Sequence, residues 1–189
     1  FSEGYVFQTD EARNYFCRKI KNKGVVIANP IKPDLPDVYN GDRAKKIVAV
    51  GRLEEQKNYS LLIKSFNLIA DEFKDYKVEI YGEGQERNKL EKQISDLNLS
   101  NRVLLMGRHN DVHDRIKDAS LYVLSSHYEG MPNALMEAMA LGLPCIATNC
   151  SGGGPKKLIT NGVNGILVEN DDEVALSKEI TLVLQGSQI

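Results

Sequence analysis

Short runs of apolar residues alternate along the chain with longer segments in which apolar residues recur every three or four positions. The runs have the length of strands, and the periodic segments have the spacing of amphipathic helices. Uninterrupted apolar strands between such helices are typical of a parallel sheet that is covered on both faces. The pattern therefore predicts an α/β fold with a doubly wound, Rossmann-like parallel sheet, with strands over residues 47–50, 78–81, 103–106, 121–124, 145–147 and 165–168 and helices over 60–73, 85–97, 112–117 and 172–184.

The first thirty residues have a pattern of their own. Residues 5–7 and 24–28 are predicted strands, and Thr9 and Asp10 suit the start of a helix that continues to about Ile20. Three of the six prolines then fall within residues 29–36, which predicts an irregular connection.

Composition and charge narrow the possible functions. The 189 residues carry a formal net charge of −2, which argues against a nucleic-acid groove and against a strongly basic membrane surface. Cys17, Cys145 and Cys150 form no CxxC pair, so we expect reduced thiols and a cytoplasmic protein. No apolar run approaches the length of a membrane span. Because the chain begins with Phe1, we expect it to be a fragment of a longer protein.

Residues 125–142 join a predicted strand to a predicted helix through a glycine loop. Pro132 suits the first turn of that helix, where its missing N–H costs nothing, and Gly142 is placed to end it. Glu129 then lies in the loop and Glu137 inside the helix. A turn of this kind directs free amides outward from the carboxyl edge of a sheet, which suits a phosphate; here they belong to Met131, Asn133 and Ala134.

Two cations follow the first strand of the main series. Arg52 and Lys57 precede a helix that Asn58 is expected to cap. Positive charge at this end of a helix opposes the helix dipole unless an anion is bound. The mismatch indicates a phosphate site, and two solvated surface cations are the alternative interpretation.

Glu129 and Glu137 are separated by seven residues in the segment Glu-Gly-Met-Pro-Asn-Ala-Leu-Met-Glu, and Ala-Leu-Gly-Leu-Pro follows shortly afterwards. Two glutamates at this spacing alone are weak evidence, because charged residues recur by chance in helices. With the flanking residues they resemble the E-x7-E signature of retaining glycosyltransferases of family 4 (group 1). The resemblance implies the carboxy-terminal, donor-binding half of an enzyme with the two-domain GT-B fold.

The same resemblance implies roles for individual residues. Arg52 and Lys57 match a motif that holds the diphosphate of the donor, Glu129 would face the sugar, and Glu137 would bind the ribose hydroxyls. Glu129, Arg52 and Lys57 are thus the expected catalytic residues. The residues implied in donor binding are Gly51, Arg52, Lys57, Gly82, Arg108, His109, Gly130, Met131, Pro132, Asn133, Ala134 and Glu137.

Other motifs in the sequence give less support for a functional site. The Gly-Glu-Gly sequence at 82–84 lacks the third glycine of a dinucleotide fingerprint, because Arg87 stands there. His109 and His113 are four positions apart near aspartates, but no third ligand accompanies them, so no metal site is expected. The segment Ser151-Gly-Gly-Gly-Pro155 resembles the family's Gly-Gly-Pro loop, but Lys157 stands where the family usually has a glutamate, which puts the role of this loop in doubt.

The expected function is transfer of a hexosyl-type residue from a nucleoside diphosphate sugar, UDP- or GDP-linked, to an acceptor with retention, in polysaccharide or glycoconjugate biosynthesis. Arg52, Lys57 and the helix amides would stabilise charge on the leaving diphosphate, so neither a metal nor another cofactor is expected. A nucleotide-sugar epimerase of the same fold and a non-catalytic nucleotide-binding scaffold domain are the alternatives.

The resemblance also implies a domain arrangement. Residues 1–30 would be a remnant of the N-terminal domain and the interdomain link, and residues 31–189 the nucleotide-sugar-binding domain. The partners would be the donor and a carbohydrate or lipid-linked saccharide acceptor, the latter held largely by the missing domain, so the chain alone should be inactive. The cytoplasm is the expected location, and peripheral association with the inner membrane face is compatible with it.

Overall fold

A computed structural model describes residues 2–186; Phe1 and residues 187–189, at the outer ends of the two predicted domains, lie outside the described part. The chain begins with a small unit in which strand β1 (Tyr5–Phe7) pairs in parallel with strand β2 (Gly24–Val26). Helices α1 (Asp10–Tyr15) and α2 (Arg18–Lys21) connect them. Thr9 begins α1 as predicted, since its side chain accepts from the amide of Ala12.

The single helix predicted from Thr9 to about Ile20 is wrong, because the chain is broken between α1 and α2. Phe16 and Cys17 both have extended backbones, which end the first helix and begin the second. The Phe16 ring lies 5.4 Å from the Phe7 ring, so the break lets an aromatic side chain cover the small sheet.

The main unit is a six-stranded sheet, and its predicted strands are all present. They are β3 (Ala44–Val50), β4 (Lys77–Tyr81), β5 (Val103–Gly107), β6 (Ala119–Leu124), β7 (Cys145–Thr148) and β8 (Ile166–Val168). Their order in the sheet is β5-β4-β3-β6-β7-β8, and every neighbouring pair is parallel. The doubly wound parallel sheet expected from the apolar runs is confirmed.

Helices cover both faces of this sheet. They are α3 (Tyr59–Ile69), α4 (Arg87–Asp96), α5 (Val112–Ile116), α6 (Asn133–Ala140), α7 (Gly154–Leu158) and α8 (Glu173–Leu184). Successive residues of β3 show the two-sided burial: Ile47 and Ala49 belong to the core beneath α3, α4 and α8, whereas Val48 belongs to the core beneath α6.

Element ends differ from the predictions by a few residues. Helix α3 ends at Ile69 rather than residue 73. Pro132 stands at the cap of α6 rather than inside its first turn, and Gly142, with φ of 71°, follows its end as predicted. Asn58 stands at the predicted cap of α3, but its side chain makes no capping bond and donates to Asp171 Oδ1 at 2.9 Å instead.

Candidate functional site

The sheet reverses its winding between β3 and β6. Strands β4 and β5 continue from β3 on one side, while β7 and β8 continue from β6 on the other. In doubly wound sheets, the crevice beyond the carboxyl ends of the strands at such a point is where ligands bind. The loops that follow β3 and β6 meet here, and they carry Lys57 and Glu129.

Lys57 and Glu129 form a largely buried ion pair at this crevice. Lys57 Nζ lies 2.5 Å from Glu129 Oε1, and the two side chains are 16% and 7% exposed. Ser126 Oγ donates to the same carboxylate oxygen at 2.7 Å. Removing one partner of such a buried pair strongly destabilises the folded protein, because the other charge is left desolvated and unpaired. Lys57 and Glu129, implied separately by the resemblance, are therefore a single unit.

The two loops are also joined by uncharged hydrogen bonds. The Gln56 side chain donates to the carbonyl of Tyr128 at 2.9 Å, and the amide of His127 donates to the carbonyl of Gln56 at 2.8 Å. Ser125 Oγ donates to the carbonyl of Lys57 at 2.9 Å. These bonds hold Lys57 and Glu129 at a defined separation.

Glycines let the loop after β7 approach the Glu129 loop. A Cβ at Gly152 would collide with the carbonyl oxygen of Glu129, and one at Gly154 would collide with that of Gly130. The amide of Glu129 donates to the carbonyl of Ser151 at 2.8 Å. The glycine loop that looked like a family motif therefore supports the backbone of Glu129.

A pocket of about 540 Å³ opens beside the ion pair. Its lining includes five residues that the resemblance implies: Gly51, Arg52, Gly82, Arg108 and His109. The side chain of Lys57 passes close to this pocket on its way to Glu129. Its Cε would lie only 3.1 Å from a Cβ placed on Gly51, which lines the pocket. The volume and lining suit a nucleotide.

The charged groups of this pocket are accessible. Arg52 is 70% exposed and its only ion pair within residues 2–186 is with Glu54 at 2.9 Å, so its guanidinium can turn to an anion at little cost. The His109 ring stands edge-on to the Tyr81 ring with centroids 5.8 Å apart, and His109 Nε2 lies 3.0 Å from the carbonyl oxygen of Met106.

Two tyrosine hydroxyls are buried close to Glu129. Tyr59 Oη and Tyr122 Oη have no hydrogen-bond partner in the part of the chain that the structure describes. Burial raises the pKa of both phenols well above its usual range, and the Glu129 carboxylate adds to the shift. The site thus has a floor of low polarity, above which charges interact more strongly than in water.

Glu137 lies on α6 and is bound by a residue that the sequence did not single out for this purpose. His113 Nε2, on α5, is 2.9 Å from Glu137 Oε2. The possible metal site at His109 and His113 is not assembled: His109 Nδ1 is 3.7 Å from Asp111, and no cluster of three or more metal-ligating side chains occurs within residues 2–186.

The start of α6 is only partly free for an anion. The amide of Met131 donates to Gln8 Oε1 at 3.0 Å, so the expectation that it is free is wrong. Gln8 Nε2 donates to Asn29 Oδ1, and Asn29 Nδ2 donates to Asn133 Oδ1. Gln8 and Asn29 were missed because nothing in the local sequence shows that the small unit reaches α6.

Further contacts join the small unit to the loop before α7. Thr9 Oγ1 donates to the carbonyl of Gly152 at 2.7 Å, and Glu11 Oε1 accepts from the amide of the same residue at 2.9 Å. Lys157 Nζ lies 3.5 Å from Asp10 Oδ2. The lysine that departs from the family pattern therefore has an acidic partner in the small unit.

A doubly wound parallel sheet with charged loops and a pocket at its switch point is the architecture of nucleotide-binding α/β proteins. The chain belongs to the family Glycosyl transferases group 1, whose sequence profile matches residues 34–188.

Similar proteins agree with this assignment. An uncharacterized glycosyltransferase of Haemophilus influenzae is 31% identical over 186 residues, which cover 96% of this chain and 51% of that protein. The Escherichia coli UDP-Gal:alpha-D-GlcNAc-diphosphoundecaprenol alpha-1,3-galactosyltransferase is 35% identical over 150 residues, 72% of this chain and 38% of its own length. The chain thus spans about half the length of such relatives or less.

The parallel sheet and its helices match part of the GT-B fold of glycosyltransferases. A crystal structure of an S. aureus TarM mutant in complex with Fondaparinux, alpha-GlcNAc-glycerol and UDP has a TM-score of 0.89 and 27% sequence identity, and the match covers 98% of this chain and 37% of that one. Within residues 2–186, no helix has both the length and the apolar character needed to cross a membrane.

Proposed function

We propose that this chain is the donor-binding part of a retaining glycosyltransferase of family 4 that uses a UDP-sugar without a metal or other cofactor. The observation that carries the proposal is the ion pair of Lys57 and Glu129 at the switch point. It lies beside a pocket that is lined by the loops after β3, β4 and β5 and that includes Arg52. UDP is favoured over GDP because the Escherichia coli relative is named for UDP-Gal and the TarM crystal contains UDP.

The residues present suit a diphosphate leaving group. When the bond between the sugar and the diphosphate breaks, negative charge grows on the diphosphate. Lys57 has three N–H donors, so it can keep its bond to Glu129 while it binds a phosphate oxygen. Arg52 adds a second cation, and the amides of Asn133 and Ala134 lie at the positive end of α6.

Retention requires no side-chain nucleophile in this proposal. The bond from the anomeric carbon to the diphosphate oxygen breaks, the acceptor oxygen bonds to the same face of that carbon, and the acceptor proton passes to a phosphate oxygen. The alpha linkage in the name of the Escherichia coli relative supports this outcome, since it is retention when the donor is alpha-linked. Glu129 would orient the sugar.

In this proposal, the acceptor binds to a part of the protein outside these 189 residues. Large apolar side chains of the small unit are exposed, among them Val6 at 66%, Tyr15 at 87% and Ile27 at 56%. We propose that an N-terminal domain covers them, that residues 1–30 continue it, and that it binds a carbohydrate or lipid-linked acceptor at the cytoplasmic side of a membrane. The relatives' greater length supports this division.

The role of the Lys57–Glu129 pair in nucleotide binding can be tested by calorimetric titration with UDP in the absence of divalent metal. Lys57→Met combined with Glu129→Gln removes both charges and leaves neither buried alone. We expect the parent to bind with a Kd in the micromolar to millimolar range, and the double variant to bind about tenfold more weakly or worse.

Lys64→Met, at an exposed position of α3, is the matched control and should leave the affinity unchanged. Equal UDP affinity in the parent and in a folded double variant would contradict the role of the pair.

A second test concerns the division of labour between the two halves. We expect the isolated chain to bind UDP but to transfer no sugar from a UDP-sugar to simple saccharide acceptors, as measured by product chromatography. Appreciable transfer by the 189 residues would show that the acceptor site is already present.

A further inference from the structure

His113 and Glu137 form a pair that connects two helices on the same face of the sheet. His113 Nε2 is 2.9 Å from Glu137 Oε2, and the side chains are 13% and 22% exposed. A carboxylate only accepts hydrogen bonds, so the imidazole donates through Nε2. Both side chains are thus largely withdrawn from solvent, unlike the ion pair at the start of the same helix, in which Arg115 and Asp111 are 41% and 54% exposed.

The position of the pair relates it to the nucleotide pocket. His113 and Glu137 line a narrow recess together with Val50 and Val112. Val50 and Val112 also line the 540 Å³ pocket that contains Gly51, Arg52 and Arg108. The carboxylate of Glu137 therefore lies in a recess that adjoins the proposed donor site rather than on a remote surface.

The bond to His113 leaves Glu137 with capacity for a ligand. Glu137 Oε2 is held by His113, while Oε1 accepts no hydrogen bond from the residues that the structure describes. A free glutamate side chain has many rotamers and loses them when it binds. A glutamate that is already fixed by a neighbour loses less freedom, so its interaction with a ligand is stronger.

We propose that His113 is a positioning residue that orients Glu137 toward the vicinal hydroxyls of the donor's ribose, and that the pair thereby selects ribonucleotides over deoxyribonucleotides. The inference rests on the proposed function of the site as a UDP-sugar site, and it adds a residue of this chain to that function. A hydrogen bond that only joins α5 to α6 would stabilise the fold without changing this selectivity.

The test is the ratio of Kd values for 2′-deoxyUDP and UDP, measured by calorimetry on the same protein. We expect the parent to favour UDP by about tenfold or more, because 2′-deoxyUDP lacks one of the two hydroxyls that donate to the negatively charged Glu137. His113→Phe keeps an aromatic ring but removes the donor, and the ratio should fall by at least about threefold. His113→Gln places an amide N–H within reach of the carboxylate and should retain the ratio.

Two further variants serve as a control and as a replacement. Arg115→Met removes the exposed pair of the same helix and should leave the ratio unchanged, which separates selectivity from loss of a surface ion pair. His113→Asn, whose amide is too short to reach Glu137, should behave like the phenylalanine variant and replaces it if that variant fails to fold.

The outcomes distinguish the inference from the function on which it rests. A ratio that stays at the parental value in folded His113→Phe or His113→Asn overturns the positioning role while UDP binding stands. A parent that binds UDP and 2′-deoxyUDP equally also overturns it. Absence of UDP binding to the folded parent overturns both the inference and the proposed function.

Discussion

At the scale of single residues, Gln8 shows how a side chain distant in sequence can bond to a backbone amide that an anion would otherwise bind. Its carbonyl oxygen accepts from the Met131 amide at 3.0 Å, and a phosphate or sugar oxygen that used this amide would have to replace it. A net hydrogen bond is worth about 0.5–1.5 kcal/mol. The resident contact therefore lowers the apparent affinity for a ligand that needs the same donor.

Removing the carbonyl should strengthen UDP binding if the ligand uses this amide. For Gln8→Met we expect a Kd about two- to tenfold lower than that of the parent, measured by calorimetry. Gln185→Met, at the end of α8, serves as the control for loss of a glutamine. Weaker UDP binding in Gln8→Met would mean that Gln8 supports the ligand rather than competing with it.

Much of the proposed site was predictable at this scale, but its internal partners were not. Arg52, Gly82, Arg108 and His109 were implied by the family resemblance, and the structure places all four around one pocket. His113 was considered as a metal ligand, whereas the structure gives it Glu137 as a partner. A residue type and its neighbours in sequence do not specify which side chain will lie opposite.

At the scale of elements, Arg102 secures the chain that follows α3. Its guanidinium donates to the carbonyls of Phe73 at 2.6 Å, Tyr76 at 2.7 Å and Ala70 at 3.4 Å. It also stands 5.3 Å from the centre of the Phe66 ring. Helix α3 ends four residues before the predicted position, and this arginine donates to carbonyls at its end and in the segment that follows it.

Loss of this arginine should destabilise the fold. For Arg102→Met we expect the free energy of unfolding in urea to fall by about 2–3 kcal/mol, because part-buried carbonyls lose a charged donor. Arg115→Met, which loses an exposed pair, should cost much less. Similar losses in the two variants would show that the carbonyls after α3 find other partners.

At the scale of the whole molecule, burial divides the three cysteines into two kinds. Cys17 is exposed, whereas Cys145 and Cys150 are buried. Burial raises the pKa of Cys145 to about 12 and that of Cys150 to about 11. A raised pKa keeps a thiol protonated, and the thiolate is the reactive form, so the two buried groups should react only when the chain opens.

An aromatic disulfide reagent at about pH 8 should therefore modify one thiol quickly in the native protein, with the other two following slowly. In denaturing urea all three thiols should react at once. Cys17→Ser should remove the fast phase and leave the slow one. A fast-reacting thiol in the native Cys17→Ser variant would contradict the burial of Cys145 or Cys150.

The sequence by itself determined the class of fold and the order of its elements. Apolar runs, helical periodicity and the glycine and proline positions are local properties, and each acts on a few neighbouring residues. They were sufficient to predict the parallel sheet, its two covered faces, and the loops at its carboxyl edge. The motif around Glu129 and Glu137 was likewise contained in one continuous segment.

The tertiary structure alone decided which side chains meet. Lys57 and Glu129 are 72 positions apart, Gln8 and Met131 are 123 apart, and His113 and Glu137 are 24 apart. Such contacts depend on the paths of whole loops and on rotamers chosen by packing, which no local pattern contains. The physical reason is that hydrophobic burial specifies the sheet and its helices, whereas the pairing of polar side chains is settled only after those elements have packed.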